Sequence, residues 1–385
     1  MLDMDIKEIR GKIDSIDDNI LKLFLERMGL MHDVAEYKNA RGLPVKDRTR
    51  EREVLNNIME KAGPEFGEYA YYLFSKLISL SCARQNEFIK SETKVKAQVE
   101  NSLLNINETF PKNASVACQG VEGSNAQAAC DKIFPLGKIM YVNSFKAVFD
   151  AVENNLCKYG ILPIENSTNG SVRPVYDLLL ERKFYIVRGT QLLIQHELLA
   201  KKGAKLENIK KIYSHQQALG QCSNYLAKLN SEQGVEILPF SNTAAAAKMV
   251  AESNDLTIAA IASPDCAKLY NLECLNYNIQ DSDNNYTRFI CISKLPVIYA
   301  GANRLSIILG CDNTPGALYE ILSRVAAHGV NMDKLESYPA VGRHFEWMFF
   351  LELEASIHEP GILNMLEDLE RTCPNFTLLG NYSLV

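Results

Sequence analysis

The chain has 385 residues, of which 47% are hydrophobic and 23% are charged, and its formal net charge is −6. A chain of this length can form two or three domains, and this composition is ordinary for a globular protein. The acidic balance excludes a general attraction to nucleic acid or to anionic membranes. No apolar stretch reaches membrane-spanning length, and the N-terminal stretch MLDMDIKEIRGK lacks an apolar signal core, so we expect a cytoplasmic protein without a membrane partner.

Neither a metal nor another cofactor is expected. The ten cysteines and six histidines are dispersed, without a CxxC pair, a Cys/His ligand spacing or an HExxH motif. In a chain of this size such cysteines indicate reduced, mostly buried thiols. The Gly-rich stretch QGVEGSNAQ matches neither GxGxxG nor a GKS or GKT motif, which argues against a nucleotide cofactor.

The first segment, residues 1–90, has the pattern of helices. Apolar residues from Ile6 to Val34 recur every three or four positions, which predicts a helix from about Met4 to Ala40. Such a helix would be roughly 55 Å long, so we expect it to lie against a partner chain. The stretch GLPVKD ends it, and two more helices are predicted, from about Asp47 to Ala62 and from about Glu65 to Ile89.

Basic side chains on the first helix could serve one anion. Arg27 and Lys38 point within about 20° of each other and are roughly 16 Å apart along the axis. Arg10 lies roughly 25 Å from Arg27 and about 100° around the helix, so it cannot reach the same site from the same chain. Taken singly, each charge is better explained as part of a solvated face. The later helices add polar residues at spacings of three and four: Asp47, Arg50, Glu51, Ser81 and Gln85.

In their order and spacing these eight residues resemble the helical chorismate mutase family, over the whole first segment. The resemblance implies an all-α intertwined dimer that rearranges chorismate to prephenate by positioning the substrate and stabilising charge on its breaking ether bond. It implies that Lys38 and Gln85 donate to the ether oxygen, and that Glu51 and the neighbourhood of Asp47 hold the ring hydroxyl. The other residues that it assigns to substrate binding are Arg10, Arg27, Asp47, Arg50 and Ser81.

The pattern changes after the first segment. Residues 91–112 are polar and aperiodic, which predicts a linker. Over residues 113–297 short apolar segments alternate with helices, which predicts an α/β domain with a largely parallel sheet. The segments predicted as strands are SVACQG, KYGILPI, FYIVRG, KIYSH, TIAAIAS and RFICIS.

Thr287 and Arg288 stand where the last predicted strand enters the core, and on these residues alone a solvated strand start is the simpler interpretation. Five ordered stretches resemble the prephenate dehydratase family across about residues 114–295: GVEGSNAQAA, GILPIENSTNGSV, YSHQQALGQC, SNTAAAA and NYTRF. The first Gln of SHQQ replaces the usual Pro of that family.

The dehydratase resemblance implies a two-lobed fold like that of periplasmic binding proteins. It also implies that prephenate loses water and carbon dioxide to give phenylpyruvate, without a general-base histidine. Thr287 would bind the leaving hydroxyl and protonate it through a relay. The other residues that it assigns to substrate binding are Ser124, Asn166, Ser214, Gln217, Gln221, Thr243 and Arg288.

The last segment, residues 302–385, has the order β-α-β-β-α-β, which predicts a ferredoxin-like α+β sandwich. The stretches NTPGALYEIL and LESYP resemble ACT regulatory domains, in which phenylalanine binds between paired domains. Tyr319 and Tyr338 replace the usual Val and Arg, and a purely structural dimerisation module is the alternative. The residues that the resemblance assigns to the effector site are Asn313, Pro315, Gly316, Ala317, Leu318, Glu336 and Ser337.

Together the three resemblances predict a member of the bifunctional chorismate mutase–prephenate dehydratase family. Such a protein would be a homodimer or higher homo-oligomer that feeds phenylalanine synthesis and is regulated by phenylalanine. Two alternatives stay open: a dehydratase that acts on arogenate, and a non-catalytic amino-acid sensor, against which the complete mutase octet and Thr287 argue. Rates on prephenate and arogenate would separate the two enzymes, and phenylpyruvate formation from chorismate would exclude the sensor.

Overall fold

A computed structural model of the chain describes residues 6–88, 93–103, 109–311, 313, 316–339 and 347–385. The predicted helix start at Met4 and helix end at Ile89 therefore lie outside the described residues, as does Pro315. None of the helices in these ranges is long and apolar enough to cross a membrane. The N-terminal part contains four helices: α1 (Ile6–Gly29), α2 (Met31–Ala40), α3 (Arg48–Phe88) and α4 (Lys94–Leu103).

The helix boundaries differ slightly from the prediction. The first helix does not run unbroken to Ala40, because it is interrupted between Gly29 and Met31. Leu30 keeps helical torsion angles (φ −69°, ψ −13°), so the interruption is mild, and it follows a glycine, a poor helix former. Within α3, Gly63 has φ 74° and ψ 178°, which makes a kink just before Pro64. The two predicted helices on either side of Gly63 are therefore confirmed.

Within the predicted linker, residues 94–103 form the helix α4. Val95 and Val99 are one helical turn apart, and they are 2% and 1% exposed because they pack into the core of the C-terminal domain. The Val95 backbone N–H also donates to Glu370 at 2.9 Å. Val95, Val99 and Leu103 are spaced four residues apart, but this single stripe in a ten-residue segment is too short for sequence periodicity to identify a helix.

The central part folds as two sheets with helices around them. All six predicted strands are present, and five short or polar ones were not predicted. The strands are β1 (Ser115–Gln119), β2 (Lys138–Val142), β3 (Tyr159–Asn166), β4 (Gly170–Ser171), β5 (Tyr185–Leu193), β6 (Glu197–Ala200), β7 (Lys211–Ser214), β8 (Glu236–Pro239), β9 (Ile258–Ala262), β10 (Glu273–Asn276) and β11 (Tyr286–Ser293). The helices are α5 (Asn125–Ile133), α6 (Phe145–Glu153), α7 (Arg173–Glu181), α8 (Gln216–Gln221), α9 (Ser223–Gln233), α10 (Thr243–Glu252) and α11 (Pro264–Leu269).

The sheets are mixed, so the prediction of a largely parallel sheet is wrong. The first sheet has the order β2–β1–β3–β11–β5, with β4 beside β3, and the second has the order β10–β6–β9–β7–β8. β1 and β7 each pair in parallel with both neighbours, whereas β11 is antiparallel to β3 and β5, and β6 is antiparallel to β9 and β10. The first sheet with its helices is the first lobe, and the second sheet with its helices is the second lobe; the chain leaves the first lobe after β5 and returns to it as β11.

The C-terminal part shows the predicted β-α-β-β-α-β order. Its antiparallel sheet has α12 and α13 on one face, together with α4. The other face packs on the first lobe of the central part, where Ile308, Tyr338 and Phe350 share one core with Val175 and Ile290. The elements are β12 (Arg304–Cys311), α12 (Ala317–Ala327), β13 (Asn331–Pro339), β14 (Trp347–Glu354), α13 (Ile362–Thr372) and β15 (Thr377–Tyr382).

Candidate active sites

A cavity of about 180 Å³ lies among the N-terminal helices. Its walls come from the last turn of α1, from α2 and from both halves of α3, and Met31, Val45, Val54, Ile78 and Cys82 supply the apolar part. The cavity brings together seven of the eight polar residues singled out in the sequence: Arg27, Lys38, Asp47, Arg50, Glu51, Ser81 and Gln85.

Two of the three cationic residues that line the cavity, Arg27 and Lys38, are held by neutral oxygens. Arg27 Nη1 donates to the Leu77 carbonyl at 3.0 Å and to the Ser81 hydroxyl, and Lys38 Nζ donates to the Val45 carbonyl at 2.5 Å. Across the described ranges, neither cation lies within ion-pair distance of a carboxylate. Their charge is therefore available to an anionic ligand, for which an arginine fork is well suited.

Gln85 lines the cavity and is only 5% exposed. Its Nε2 donates to Met31 Sδ at 3.5 Å, which is a weak acceptor, and its Oε1 has no hydrogen-bond partner in the described part of the chain. Buried polar atoms are normally satisfied, so an unsatisfied amide inside a cavity indicates a ligand-binding group.

The acidic residues stand at the start of α3. The Asp47 carboxylate accepts from the Arg50 backbone N–H at 3.0 Å, which caps the helix and fixes Glu51 one turn on. Burial raises the pKa of the half-buried Glu51 carboxyl, and nearby Lys46 partly offsets the shift. Glu51 therefore stands in a partly desolvated place, where its hydrogen bonds to a ligand are stronger than in water.

Arg10 does not line this cavity, in agreement with the helix geometry. It is exposed on α1, which has no buried residue at all. Large apolar side chains on the same helix are uncovered, including Ile13, Ile20 and Leu23 with exposed fractions of 50%, 53% and 64%. A helix with this much bare apolar surface needs a partner, as the sequence predicts.

A second polar cluster lies on the first sheet of the central part, where β3 pairs with β11. Asn166 and Thr287 are direct partners in the register of the two strands. Asn166 Nδ2 donates to Thr287 Oγ1 at 2.9 Å and to Asn285 Oδ1 at 2.7 Å. Asn166 Oδ1 accepts from the backbone N–H groups of Thr168 and Asn169 at 3.1 and 3.0 Å, which fixes the orientation of the amide.

Two helix N-termini, one from each lobe, come close to each other. Ser124 caps α5 by accepting from Gln127 N, and Thr243 is the first residue of α10. A Cβ atom on Gly123, whose φ is 85°, would lie 3.6 Å from Ala244 Cβ and 3.0 Å from Cys266 Sγ. Such a close approach requires glycine, and it places two sets of helix N–H groups where they favour an anion.

Three other predicted residues belong to the second lobe. Ser214 is buried and donates to the Ile261 carbonyl at 2.6 Å, Gln221 Oε1 lies 2.8 Å from His196 Nε2, and Gln217 is exposed on α8. Burial lowers the pKa of His196, and the hydrogen bond with Gln221 partly offsets this decrease. Within the described residues, no hydrogen bond joins Ser214, Gln217 or Gln221 to Thr287.

Arg288 is engaged by carboxylates of the protein itself. Its guanidinium contacts Glu352 of β14 and lies 3.0 Å from Glu165 of β3. Arg288 follows Thr287 in the strand, and successive side chains of a strand point to opposite faces. Arg288 therefore lies at the contact between the central part and the C-terminal domain, on the face of the sheet opposite to Thr287.

The predicted effector residues fall into two groups. Gly316 stands at the start of α12 with φ 84°, followed by the half-buried Ala317 and Leu318, and Asn313 is exposed. On β13, Glu336 accepts from the Ser171 hydroxyl at 2.7 Å and so faces the central part. Ser337 is the next residue and lies on the opposite, exposed face, so the structure does not bring it together with Glu336.

The structure also identifies residues that the sequence patterns did not single out. Asn285 is 2% exposed and its Oδ1 accepts from Asn166, while Nδ2 has no partner in the described ranges. The stretch NNYTRF contained the signal, because two amides precede a strand. Met31 and Cys82 line the helical cavity but have no polar signature in the sequence.

The comparisons with known proteins cover both candidate sites. The chorismate mutase type II family profile matches residues 9–86, and the prephenate dehydratase family profile matches residues 116–296. A bifunctional chorismate mutase/prephenate dehydratase of Aquifex aeolicus is 31% identical over 98% of this chain and 98% of its own length. The chloroplastic arogenate dehydratase/prephenate dehydratase 2 of Arabidopsis thaliana is 34% identical over 79% of this chain and 85% of its own length.

Two solved structures resemble this chain over 70% of its length. A prephenate dehydratase from Arthrobacter aurescens, in complex with L-Phe, has a TM-score of 0.63 at 26% identity and covers 70% of this chain and 89% of that one. GqqA, described as a quorum quenching acylase, has a TM-score of 0.63 at 29% identity and covers 70% of this chain and 98% of that one. Since both profiles match in order and a two-activity relative aligns along nearly its whole length, the chain belongs to the bifunctional chorismate mutase/prephenate dehydratase family of phenylalanine biosynthesis.

Proposed function

We propose that the helical cavity binds chorismate and that the Asn166–Thr287 pair is the centre of prephenate dehydration. The observation that carries the first assignment is the cavity itself, because seven separate polar residues of the sequence converge on one space of about 180 Å³. The second assignment is supported by the fixed amide of Asn166, which orients the Thr287 hydroxyl.

In the mutase site the residues act by position and charge. Arg27 would exchange its bonds to Leu77 O and Ser81 Oγ for a substrate carboxylate. Lys38 and Gln85 would donate to the ether oxygen, where negative charge grows as the bond breaks. Gln85 gives up only a weak sulfur acceptor, so this exchange costs little. Glu51, raised in pKa by burial, would hold the ring hydroxyl beside Asp47.

The mutase site is completed by a second copy of the chain. Arg10 is exposed and outside the cavity, and α1 exposes its apolar residues along its whole described length. An intertwined homodimer would cover this surface and bring Arg10 of each protomer to the partner's cavity. The bare face of α1 therefore supports a homodimer as the minimal assembly.

In the dehydratase site Thr287 would donate its proton toward the departing hydroxyl of prephenate. Its oxygen already accepts from Asn166, so the hydroxyl is oriented to donate rather than accept. The hydroxyl leaves as water with the proton relayed through Thr287, which regains a proton from solvent. The bond between the ring and its carboxylate breaks at the same time, carbon dioxide leaves, and the electron pair of that bond completes the aromatic ring of phenylpyruvate. The converging N-termini of α5 and α10 would hold the substrate carboxylates, with Ser124 and Thr243 beside them.

We also propose that the C-terminal part is an ACT domain that binds phenylalanine. The Arthrobacter relative was solved with L-Phe, and this chain has the β-α-β-β-α-β order and a glycine with φ 84° at the start of α12. An amino-acid carboxylate could approach the helix N–H groups there without meeting a side chain.

The mutase and dehydratase reactions are both expected in the cytoplasm.

Arogenate is the second candidate substrate of the dehydratase, because the Arabidopsis relative carries both names. Prephenate is favoured here, since the attached mutase produces it. The test uses the full chain with chorismate, prephenate and arogenate in turn, without added cofactor. We expect phenylpyruvate from the first two substrates, and a rate on arogenate above that on prephenate would reverse the preference.

A further inference from the structure

Two neighbouring rungs of the β3–β11 ladder face opposite ways. Thr287 pairs with Asn166, and the next rung pairs Arg288 with Glu165. Because side chains alternate along a strand, the first rung faces the proposed dehydratase site and the second faces away from it. The second rung meets the sheet of the C-terminal domain, where Arg288 contacts Glu352.

The second rung belongs to a buried cluster of charges from both domains. Glu352 is 1% exposed and also accepts from the Tyr382 hydroxyl at 3.2 Å. Lys334 of β13 is 8% exposed, and its Nζ donates to Glu165 at 2.7 Å and to Ser171 Oγ at 2.8 Å. The C-terminal sheet therefore holds β11 through Glu352, and β3 and β4 through Lys334.

The charged cluster lies next to an irregularity in the pairing of β3 with β11. The register between β11 and β3 shifts immediately after Arg288, so the ladder is irregular beside Thr287. Such a bulge loosens pairing locally and changes the aim of the adjacent side chains. The ion pairs Glu352–Arg288 and Lys334–Glu165 would fix both strands at the rung next to this irregularity. Removal of one buried partner leaves an uncompensated charge.

From this juxtaposition we propose that Glu352 and Lys334 are positioning residues for dehydration. They hold the Arg288–Glu165 rung, and through the backbone they set the separation and direction of the Asn166–Thr287 rung. The C-terminal domain is then part of the dehydratase machinery even without an effector. The inference rests on the proposed role of Thr287, because a misplaced hydroxyl matters only if it reacts.

The experiment compares Glu352→Gln and Lys334→Met with wild type in the full-length protein. A displacement of about 1 Å at a reacting group can cost roughly 100-fold in rate, so we expect the dehydratase kcat to fall by about 10- to 100-fold. The KM for prephenate should stay within about threefold, since neither residue touches substrate. The mutase rate should be unchanged, because its cavity is in another domain.

Glu354→Gln is the matched control. Glu354 lies on the same strand, two residues from Glu352, but it is exposed and lies 3.1 Å from Arg304 of its own domain. We expect it to keep wild-type dehydration. If Glu352→Gln does not fold, as judged by thermal unfolding and the mutase rate, Lys334→Met decides the question alone.

A folded Lys334→Met or Glu352→Gln protein with kcat within twofold of wild type would overturn the inference, and so would a loss carried by KM instead of kcat. Thr287→Ala is measured in parallel to keep the two proposals apart. An active Thr287→Ala protein removes the proposed function itself. If Thr287→Ala is inactive while Glu352→Gln and Lys334→Met keep wild-type dehydration, only the positioning role of Glu352 and Lys334 is refuted.

Discussion

Asn166 donates its side-chain amide to Thr287 Oγ1 at 2.9 Å, from the strand position directly opposite. The amide cannot turn over, because Asn166 Oδ1 is held by the N–H groups of the turn that follows β3. The Thr287 oxygen therefore keeps one acceptor interaction, and its proton points elsewhere. This relationship makes the hydroxyl a directed donor.

The first prediction concerns that donor. Thr287→Ala should lower the dehydratase kcat by about 10²–10⁴-fold, because it removes one positioned proton donor or hydrogen bond. Thr287→Ser keeps the hydroxyl and should recover most of the rate. Ser293→Ala, at the other end of β11, is the control. Steady-state rates of phenylpyruvate formation from prephenate measure all three, and an alanine variant within threefold of wild type would refute the assignment.

A second prediction tests the mutase cavity. Lys38→Met should lower the rate of prephenate formation from chorismate by about 10²–10³-fold, because the growing charge on the ether oxygen loses a donor. Dehydration of added prephenate should not change. Lys61→Met, on the exposed side of α3, serves as the control. The assignment of Lys38 fails if both lysine variants have equal mutase rates.

The third prediction uses two inactive variants to test the dimer. Arg10→Ala and Lys38→Ala should each have little mutase activity alone, since each removes a charge from both sites. In a mixed dimer one site keeps both residues, and random exchange makes about half of the dimers mixed, so about a quarter of all sites should recover. Co-expression with two different tags isolates the mixed dimers. Mixed dimers that are no more active than either parent would show that Arg10 does not act across the interface.

A fourth prediction follows from the raised pKa of Glu51. A carboxyl whose pKa is higher in the folded state than in the unfolded state, 4.5, stabilises the fold fully only below pH 4.5. This contribution to the free energy of unfolding is lost as the pH rises through the folded pKa, because burial then opposes the ionised form. Glu51→Gln should therefore raise the thermal unfolding midpoint at neutral pH, and the gain should shrink as the pH falls toward 4.5.

The same variant should lower the mutase rate, because the ring hydroxyl loses its charged acceptor. Glu60→Gln, exposed on α3, should change neither quantity. A Glu51→Gln protein that is less stable than wild type at neutral pH would contradict the expected direction of the change.

The fifth prediction concerns phenylalanine binding. Gly316 has φ 84° and open space where a Cβ would stand, so Gly316→Ala adds backbone strain of about 1–2 kcal/mol without a clash. We expect weaker phenylalanine binding by calorimetry on the full chain, and Gly316→Asn should be milder because Asn tolerates this backbone conformation. Gly329→Ala, with φ 69° and equal space after the same helix, is the control. Equal affinities of the Gly316 and Gly329 variants would place the effector elsewhere.

Much of the fold follows from patterns of a few residues. The helical segments and the β-α-β-β-α-β order could be predicted because their apolar periods are long and regular. The direction of β11 could not, because RFICIS has the same composition whether it pairs in parallel or antiparallel. The direction in which β11 pairs depends on the path of the chain between β5 and β11, which passes through the second lobe. That path is not encoded in the residues of the strand itself.

Site residues that are close in the sequence could be predicted, whereas contacts between domains could not. The spacing of Arg27 and Lys38 on one predicted helix indicated that both could reach one anion, and both line one cavity although the helix is interrupted between them. The distance from Arg27 excluded Arg10 from that site. The partner of Arg288 could not be predicted, because Glu352 is 64 residues away in another domain. The ring of Tyr338 stacks on Tyr176 with 5.2 Å between ring centroids, which is again a contact between domains.

The apolar core shared by the first lobe and the C-terminal sheet has a consequence for cooperativity. Ile308, Tyr338 and Phe350 are buried among residues of the central part, so separating the two domains would expose them all to water. Amides on β11 and β14 should then exchange with solvent deuterium through one common opening, at the same free energy. The first lobe of the central part and the C-terminal domain would then behave as a single foldon.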